Sequence, residues 1–333
     1  MIERRATSML AVLMLAVAAC SGDAPSTSPA AAATSAPPAS APAAAESPSA
    51  AAETVKVGFI TKFPVDFYDT MVDAVKTWNQ DHPEVQVLFA QGASGTDDAG
   101  EIAAIESFIS QGVKGIAITP TSPNLQTELQ KAVDAGIKVV LIDNDIPDWT
   151  GKTSVVATDN LAGGKLAGTW LASHLAAGAK IGVLQGVLGN PSLDARVDGM
   201  LATLGTAGTV VAQAPTDCDQ TKGLNAAQDI LTAHPDIQAI YGACGPPILG
   251  ALEAIKNAGI AAGTITVVGF DASGGEVDAI IAGTQAGSVA QFPSKMGSLG
   301  VSTLLDAVNG KTVAPTVDTG TEMVTKDNAA SFK

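Results

Sequence analysis

Residues 115–157 read GIAITPTSPNLQTELQKAVDAGIKVVLIDNDIPDWTGKTSVVA, and the rhythm of this stretch decides the fold class. Three short β-rich runs stand in it, at 115–118, 138–142 and 154–157. The first two are separated by enough residues for a helix, which Ala135-Gly136 brings to a stop. Strand, helix, strand in that order is the repeating unit of a parallel sheet. The rhythm continues outward. Upstream, 55–60 and 85–89 read as strands; downstream, 180–184, 209–212, 238–241, 264–270 and 288–291 do the same. Glu101, Ile102, Ile105, Phe108 and Ile109 fall on one face of a helix, as do Phe67, Met71, Ala74, Val75 and Trp78. Ala258-Gly259 and Ala282-Gly283 repeat the helix stop. About 280 residues of this alternation exceed one small sheet. The expected fold is α/β: two similar lobes, each a parallel sheet covered by helices on both faces.

The chain has 333 residues, 18 Lys and Arg against 33 Asp and Glu, and a formal net charge of −15. A surface that negative repels phosphate backbones, so nucleic acid is not expected as a partner. The N-terminus opens on a basic head, Met1-Ile2-Glu3-Arg4-Arg5, followed by an apolar run over 9–17. That run leads into Val17-Ala18-Ala19-Cys20, which resembles a bacterial lipoprotein cleavage box. The resemblance implies a signal peptide over 1–19, a lipid on Cys20 and an extracytoplasmic protein anchored to the cell membrane. Residues 20–53 are Ala, Pro, Ser and Thr with few other types, too poor in apolar groups to order themselves, and are expected to act as a tether.

In open parallel sheets, ligands bind beyond the carboxyl ends of the strands. The residues there are Thr61, Thr119, Asp143-Asn144, Gln185, Asp217-Cys218, Cys244, Phe270-Asp271 and Gln291. Taken singly, such Asp and Thr residues read as helix caps. Taken together, neutral hydrogen-bonding groups and carboxylates with almost no bases point to a polar, uncharged ligand. Enzyme motifs are missing. Gly95 to Glu101 has phosphate-loop glycines without the Lys-Ser/Thr pair, and Gly92-Ala93-Ser94-Gly95 is not a nucleophile elbow. Gly163 to Gly168 has no strand leading into it as a dinucleotide fingerprint requires. His82 and His234 precede prolines at helix ends, and neither they nor His174 stand at metal-ligand spacing. No enzyme activity, cofactor or metal is expected.

Five stretches carry a family resemblance over residues 55–333. They are Ala157 to Lys165 (ATDNLAGGK), Gly223-Leu224-Asn225, Leu231 to Asp236 (LTAHPD), Val267 to Asp271 (VVGFD) and Ala290 to Pro293 (AQFP). In this order they resemble the periplasmic sugar-binding proteins of the ribose-binding type, the solute receptors of ABC importers. The resemblance implies Rossmann-like lobes at 54–158 plus 292–318 and 159–291 plus 319–333, joined by a three-strand hinge. It also implies ligand contacts at Thr61, Phe67, Tyr68, Asp143, Arg196, Phe270, Asp271 and Gln291. Four positions depart from the family: Asn144 replaces Arg, Val65 replaces Asn, Cys244 replaces an Asn-Asp pair, and Cys218 replaces a stacking Phe. Asn144 and Cys244 stay in the expected binding set.

With Cys20 lipidated, Cys218 and Cys244 remain as an even pair in an oxidising compartment, and both follow second-lobe strands expected to lie side by side or one apart. A disulfide between them is expected. It would replace an aromatic face and an amide by a weakly polar wall, which favours a four- or five-carbon alditol over a flat pyranose. The expected partners are a small sugar or polyol and an ABC permease, with the receptor a monomer. A sugar-sensing receptor for a chemoreceptor or kinase would carry the same residues. A secreted hydrolase would need two carboxylates at the scissile bond, for which Asp143 and Asp271 are the candidates.

Overall fold

The computed structural model describes residues 54–333, all within one compact unit. The expected signal peptide, the expected lipid site at Cys20 and the expected tether to residue 53 lie outside the described residues.

The first lobe opens with β1 (Val55–Thr61), α1 (Asp66–Gln80), β2 (Val85–Gln91) and α2 (Asp98–Ser110). It continues through β3 (Gly115–Ile118), α3 (Gln126–Asp134), β4 (Lys138–Ile142) and β5 (Ser154–Ala157). The second lobe holds α4 (Asn160–His174), β6 (Ala179–Gln185), α5 (Pro191–Leu204), β7 (Gly208–Pro215) and α6 (Gln220–Ala233). There follow β8 (Ala239–Gly242), α7 (Gly245–Asn257), β9 (Thr266–Asp271), α8 (Gly274–Ala282) and β10 (Gly287–Ala290). The chain returns to the first lobe for α9 (Pro293–Val308) and β11 (Thr316–Asp318), then ends in the second with β12 (Glu322–Thr325).

Two six-stranded sheets result, ordered β11-β5-β4-β3-β1-β2 and β12-β10-β9-β8-β6-β7. Every pairing is parallel except that of β12 with β10. The chain therefore passes between the sheets three times, after β5, after β10 and after β11. Parallel strands buried on both faces need apolar residues at successive positions, and Lys138–Ile142 shows it: all of it but Lys138 is buried. The first sheet is sandwiched between a layer around Ile105, Ile116 and Leu129 and another around Phe59, Met71 and Leu304. The second lies between layers around Leu171, Val183 and Phe270 and around Ile230, Ile248 and Val267. Gly136, Gly259 and Gly283 each follow or close a helix at positive φ, which accounts for the Ala-Gly stops. His82 follows the end of α1 and stacks on Trp78, while His234 closes α6.

The glycines of residues 163–168 find a packing role. A Cβ on Gly164 would stand 2.2 Å from the Arg196 carbonyl oxygen, and one on Gly168 would stand 2.2 Å from that of Met200. From the other helix, a Cβ on Gly199 would meet the Leu161 carbonyl at 2.4 Å. Small residues on both helices let the α4 and α5 backbones touch. That contact sets where Arg196 is mounted.

Candidate functional site

The carboxyl ends of both sheets face one crevice, where a cavity of about 330 Å³ opens between the lobes. The first lobe lines it with Lys62, Phe63, Phe67, Tyr68, Asp143 and Asn144. The second contributes Asn190, Arg196, Cys218, Cys244 and Asp271, and Gln291 stands at the hinge. The lobes also meet directly, through Ser192 Oγ donating to the Asp143 carbonyl at 3.4 Å.

Arg196 is the centre of the second lobe's contribution. It is 3% exposed, and three of its five N–H donors are held: Nε donates to Asn160 Oδ1 at 2.8 Å, and Nη1 to the Ala243 carbonyl at 2.8 Å and to Asp271 Oδ1 at 3.1 Å. Its guanidinium lies 4.0 Å from the centroid of the Phe270 ring. Nη2 has no partner among the described residues and is available to a guest. Asp271 accepts further from Gln291 Nε2 at 2.7 Å and from the Gly245 amide at 2.9 Å. Burial pushes its carboxyl above the ordinary value, and the Arg196 charge pulls it back.

In the first lobe, Tyr68 Oη donates to Asp143 Oδ2 at 3.1 Å, and Asn144 Nδ2 donates to the same oxygen. Burial, then the Asp143 charge, holds the Tyr68 hydroxyl well above its usual range, so it stays a donor. Three acceptor atoms of the lining residues are buried without a partner among the described residues: Asp143 Oδ1, Asn144 Oδ1 and Gln291 Oε1. Buried acceptors are rarely left unanswered; these three belong to residues that line the cavity, while four more, on Glu101, Thr119, Glu128 and Gln285, lie away from it. Asp143, Asp217, Cys218 and Asp271 also adopt positive φ of 65°, 51°, 55° and 100°, uncommon for side chains of this kind. Strain of this sort gathers where side chains must be aimed.

Eight of the ten expected binding residues line the cavity; two do not. Thr61 is buried one position before the cavity wall and its hydroxyl accepts from Gln91 Nε2 at 3.1 Å. The reason is that β1 runs through Thr61, so the residue delivered to the crevice is Lys62. Phe270 is fully buried beneath the Arg196 guanidinium and serves as its platform rather than as a wall of the cavity. Lys62, which no sequence motif marks, is 6% exposed; burial lowers its pKa, opposed by Asp143 and Glu101. No hydrogen bond of its ammonium is found among the described residues. It supplies a cation to the lobe in which Asn144 stands instead of Arg.

Cys218 and Cys244 are joined in a disulfide, with Cα atoms 5.6 Å apart, and form part of the cavity wall beside Pro246 and Leu249. Their strands β7 and β8 flank β6. Among the described residues, no group of three or more His, Cys, Asp and Glu is placed to hold a metal, and no helix is long and apolar enough to cross a membrane.

Two hinged α/β lobes with a polar crevice between them define a class of solute-binding proteins, and comparison with known proteins agrees. Residues 57–312 match the periplasmic binding protein domain family. The ribose import binding protein of Salmonella typhimurium is 35% identical over 222 residues, which span 66% of this chain and 74% of that protein. An ABC transporter solute-binding protein from Burkholderia graminis, solved in complex with D-arabinose, superposes with a TM-score of 0.79 at 28% identity, covering 84% of this chain and 98% of its own. A solute-binding protein from Bacillus halodurans, solved with myo-inositol, has the same fold at 22% identity, with a TM-score of 0.79 over 85% of this chain and 99% of its own. The chain belongs to the periplasmic sugar-binding proteins of the ribose-binding type. It is an extracytoplasmic solute-binding protein of the ABC transport type and not an enzyme.

Proposed function

We propose that this protein is a lipid-anchored receptor that captures a small sugar or sugar alcohol, foremost a four- or five-carbon polyol, and presents it to an ABC permease. The observation that carries the reading is the mismatch of polar groups in the crevice. Asp143 Oδ1, Asn144 Oδ1 and Gln291 Oε1 want donors, while Lys62 and Arg196 Nη2 have donors to give. A hydroxyl group both donates and accepts, so a polyol answers both sets. An anion would answer the cations alone and would face Asp143 and Asp271.

Size agrees. At roughly 30 Å³ per water-sized group, the cavity suits a ligand of about ten heavy atoms. Such a ligand has a ceiling near −1.5 kcal/mol per atom, so the roughly −8 kcal/mol of micromolar binding is within reach. The choice within the class rests on the walls. Phe63, Phe67 and Tyr68 offer aromatic surface on the first lobe, while the facing wall is the Cys218–Cys244 bridge, Pro246 and Leu249. A flat sugar ring gains from aromatic surface on both sides, an open-chain polyol does not. Among relatives above 25% identity, the ribose import binding protein and the D-arabinose-bound receptor support the five-carbon size, while a D-allose-binding protein of Escherichia coli at 31% identity takes a six-carbon sugar.

Ligand bridging both lobes would favour the closed arrangement by its differential affinity for it. The lipid anchor rests on Val17-Ala18-Ala19-Cys20, and the lobe boundaries proposed are 54–158 plus 292–318 and 159–291 plus 319–333. Isothermal titration against erythritol, ribitol, D-arabinitol, D-ribose, D-arabinose and D-allose tests the reading. Tightest binding is expected for an alditol; tight binding of an aldopyranose with no alditol response would replace the polyol by a sugar ring.

A further inference from the structure

Glu276 lies behind the crevice, takes no part in lining it, and is fully buried. Its surroundings are unusually well defined. Oε1 accepts from Gln285 Nε2 at 3.0 Å and from Ser288 Oγ at 2.9 Å, and Oε2 accepts from the Ser273 amide at 3.1 Å. Because the Ser288 hydroxyl spends its hydrogen on Glu276, its oxygen is left to accept, and it takes the Ala272 amide at 3.0 Å. Two consecutive amides just after Asp271 are thus held, one directly and one through Ser288.

Those amides belong to a strained turn. Asp271 and Ala272 adopt φ of 100° and 48°, neither of them glycine. Such conformations persist only when surrounding contacts over-determine them. Two glycines make room for the group that does so. A Cβ on Gly269 would stand 2.0 Å from Glu276 Oε1, and one on Gly245 would stand 2.6 Å from Oε2. Gly245 is also the residue whose amide donates to Asp271 Oδ2. The Glu276 carboxyl therefore touches α7, β9 and β10 at the three points that fix where the Asp271 side chain aims.

We infer that Glu276 is a positioning residue of the binding site: through Ser288 and the Ala272 and Ser273 amides it locks the turn that presents the Asp271 carboxylate to Arg196, Gln291 and the ligand. The inference rests on the reading of the crevice as a polyol or sugar site. Glu276 itself touches no ligand. A helix-capping role alone would explain the Ser273 contact, but not Ser288, Gln285 or the two glycines.

The test is a double-mutant cycle on the full chain, read by isothermal titration with whichever of ribitol, D-ribose and D-arabinose binds it most tightly. Ser288→Ala, which removes one relay, should weaken binding about fivefold, and Glu276→Ala about tenfold or more. In an Asp271→Ala background both losses should shrink below about twofold, because there is no longer a carboxylate to aim. Glu276→Gln keeps an acceptor for Ser288 and should recover part of the loss. Equal losses in both backgrounds, or wild-type affinity for Ser288→Ala and Glu276→Ala, would overturn the inference. Should none of the three probes bind the wild-type chain, the sugar reading fails by itself, and a crystal structure of the Ser288→Ala chain decides this one. An Asp271 carboxylate moved off the Gly245 amide supports it, and an unmoved one overturns it.

Discussion

Arg196 and Asp271 meet inside the second lobe, Nη1 to Oδ1 at 3.1 Å, one delivered by α5 and the other by the end of β9. The side chains are 4% and 14% exposed, so neither charge can be relieved by water when the other is removed. Breaking such a pair costs about 3–5 kcal/mol, whereas replacing both members by neutral groups costs far less. Arg196→Met should therefore lower stability by that order and abolish ligand binding. The double variant Arg196→Met with Asp271→Asn should regain most of the stability and none of the binding. Chemical denaturation and titration of both chains measure the two quantities separately.

Lys62 presents the opposite trade. A buried ammonium without a partner is a cost to the folded protein, and it is tolerable where a ligand supplies the acceptor. Lys62→Met should raise the melting temperature or leave it unchanged while weakening polyol binding about tenfold or more. Loss of stability together with unchanged affinity would show that the residue belongs to the scaffold.

The Cys218–Cys244 bridge spans a sequence separation of 26 residues. Closing a loop of that order stabilises by about 3 kcal/mol, chiefly through the unfolded chain. Replacing both cysteines by Ser should cost about that much and weaken binding as well, since both residues wall the cavity. Thiol titration of the unfolded, unreduced chain should find none reactive once Cys20 is lipidated; two reactive thiols would dismiss the bridge.

Two buried carboxyls set a pH dependence. Burial raises Glu101 to about 7 and Glu276 to about 8, from an ordinary value of 4.5. Between those values the folded chain binds more protons than the unfolded one, so stability falls as pH rises. Their contribution is fully present below about 4.5 and is lost as pH passes through about 7 and then about 8. The melting temperature should decline between pH 5 and pH 9, and Glu276→Gln should flatten the upper part of that decline. A profile with the same slope in both chains would contradict the assignment.

The lipid anchor has its own test. Cys20→Ser should move the protein from the membrane to the soluble fraction with ligand affinity unchanged, because a lipid chain contributes membrane attachment alone.

Most of the fold was legible because buried parallel strands must be short, apolar and β-branched, and glycine ends their helices. Strands such as 115–118, 138–142 and 154–157 announce themselves in this way. The two strands that were not read, β11 and β12, have three and four residues and exposed acids, Asp318 and Glu322. They are made by their neighbours β5 and β10, not by local pattern. Of the ten expected residues, eight stand in the cavity wall, and Thr61 and Phe270 do not. Ending β1 at Ile60 instead of Thr61 placed the wrong side chain in the crevice and hid Lys62. Glu276 carried no signal at all, since an acid three residues into a helix reads as an ordinary N-terminal Glu.

The close glycine contact between α4 and α5 has an entropic side. A free arginine side chain has about 2 kcal/mol of rotamer entropy to lose. Here the α5 backbone is pressed onto α4, Phe270 supports the guanidinium from below, and Asn160 holds Nε, so the protein's own contacts, not a solute, fix the Arg196 side chain. The second lobe can then swing as a finished half-mould. A Gly164→Ala change would push the Arg196 backbone off α4 and should weaken solute binding from a position far from any atom the solute touches, which titration of that variant checks.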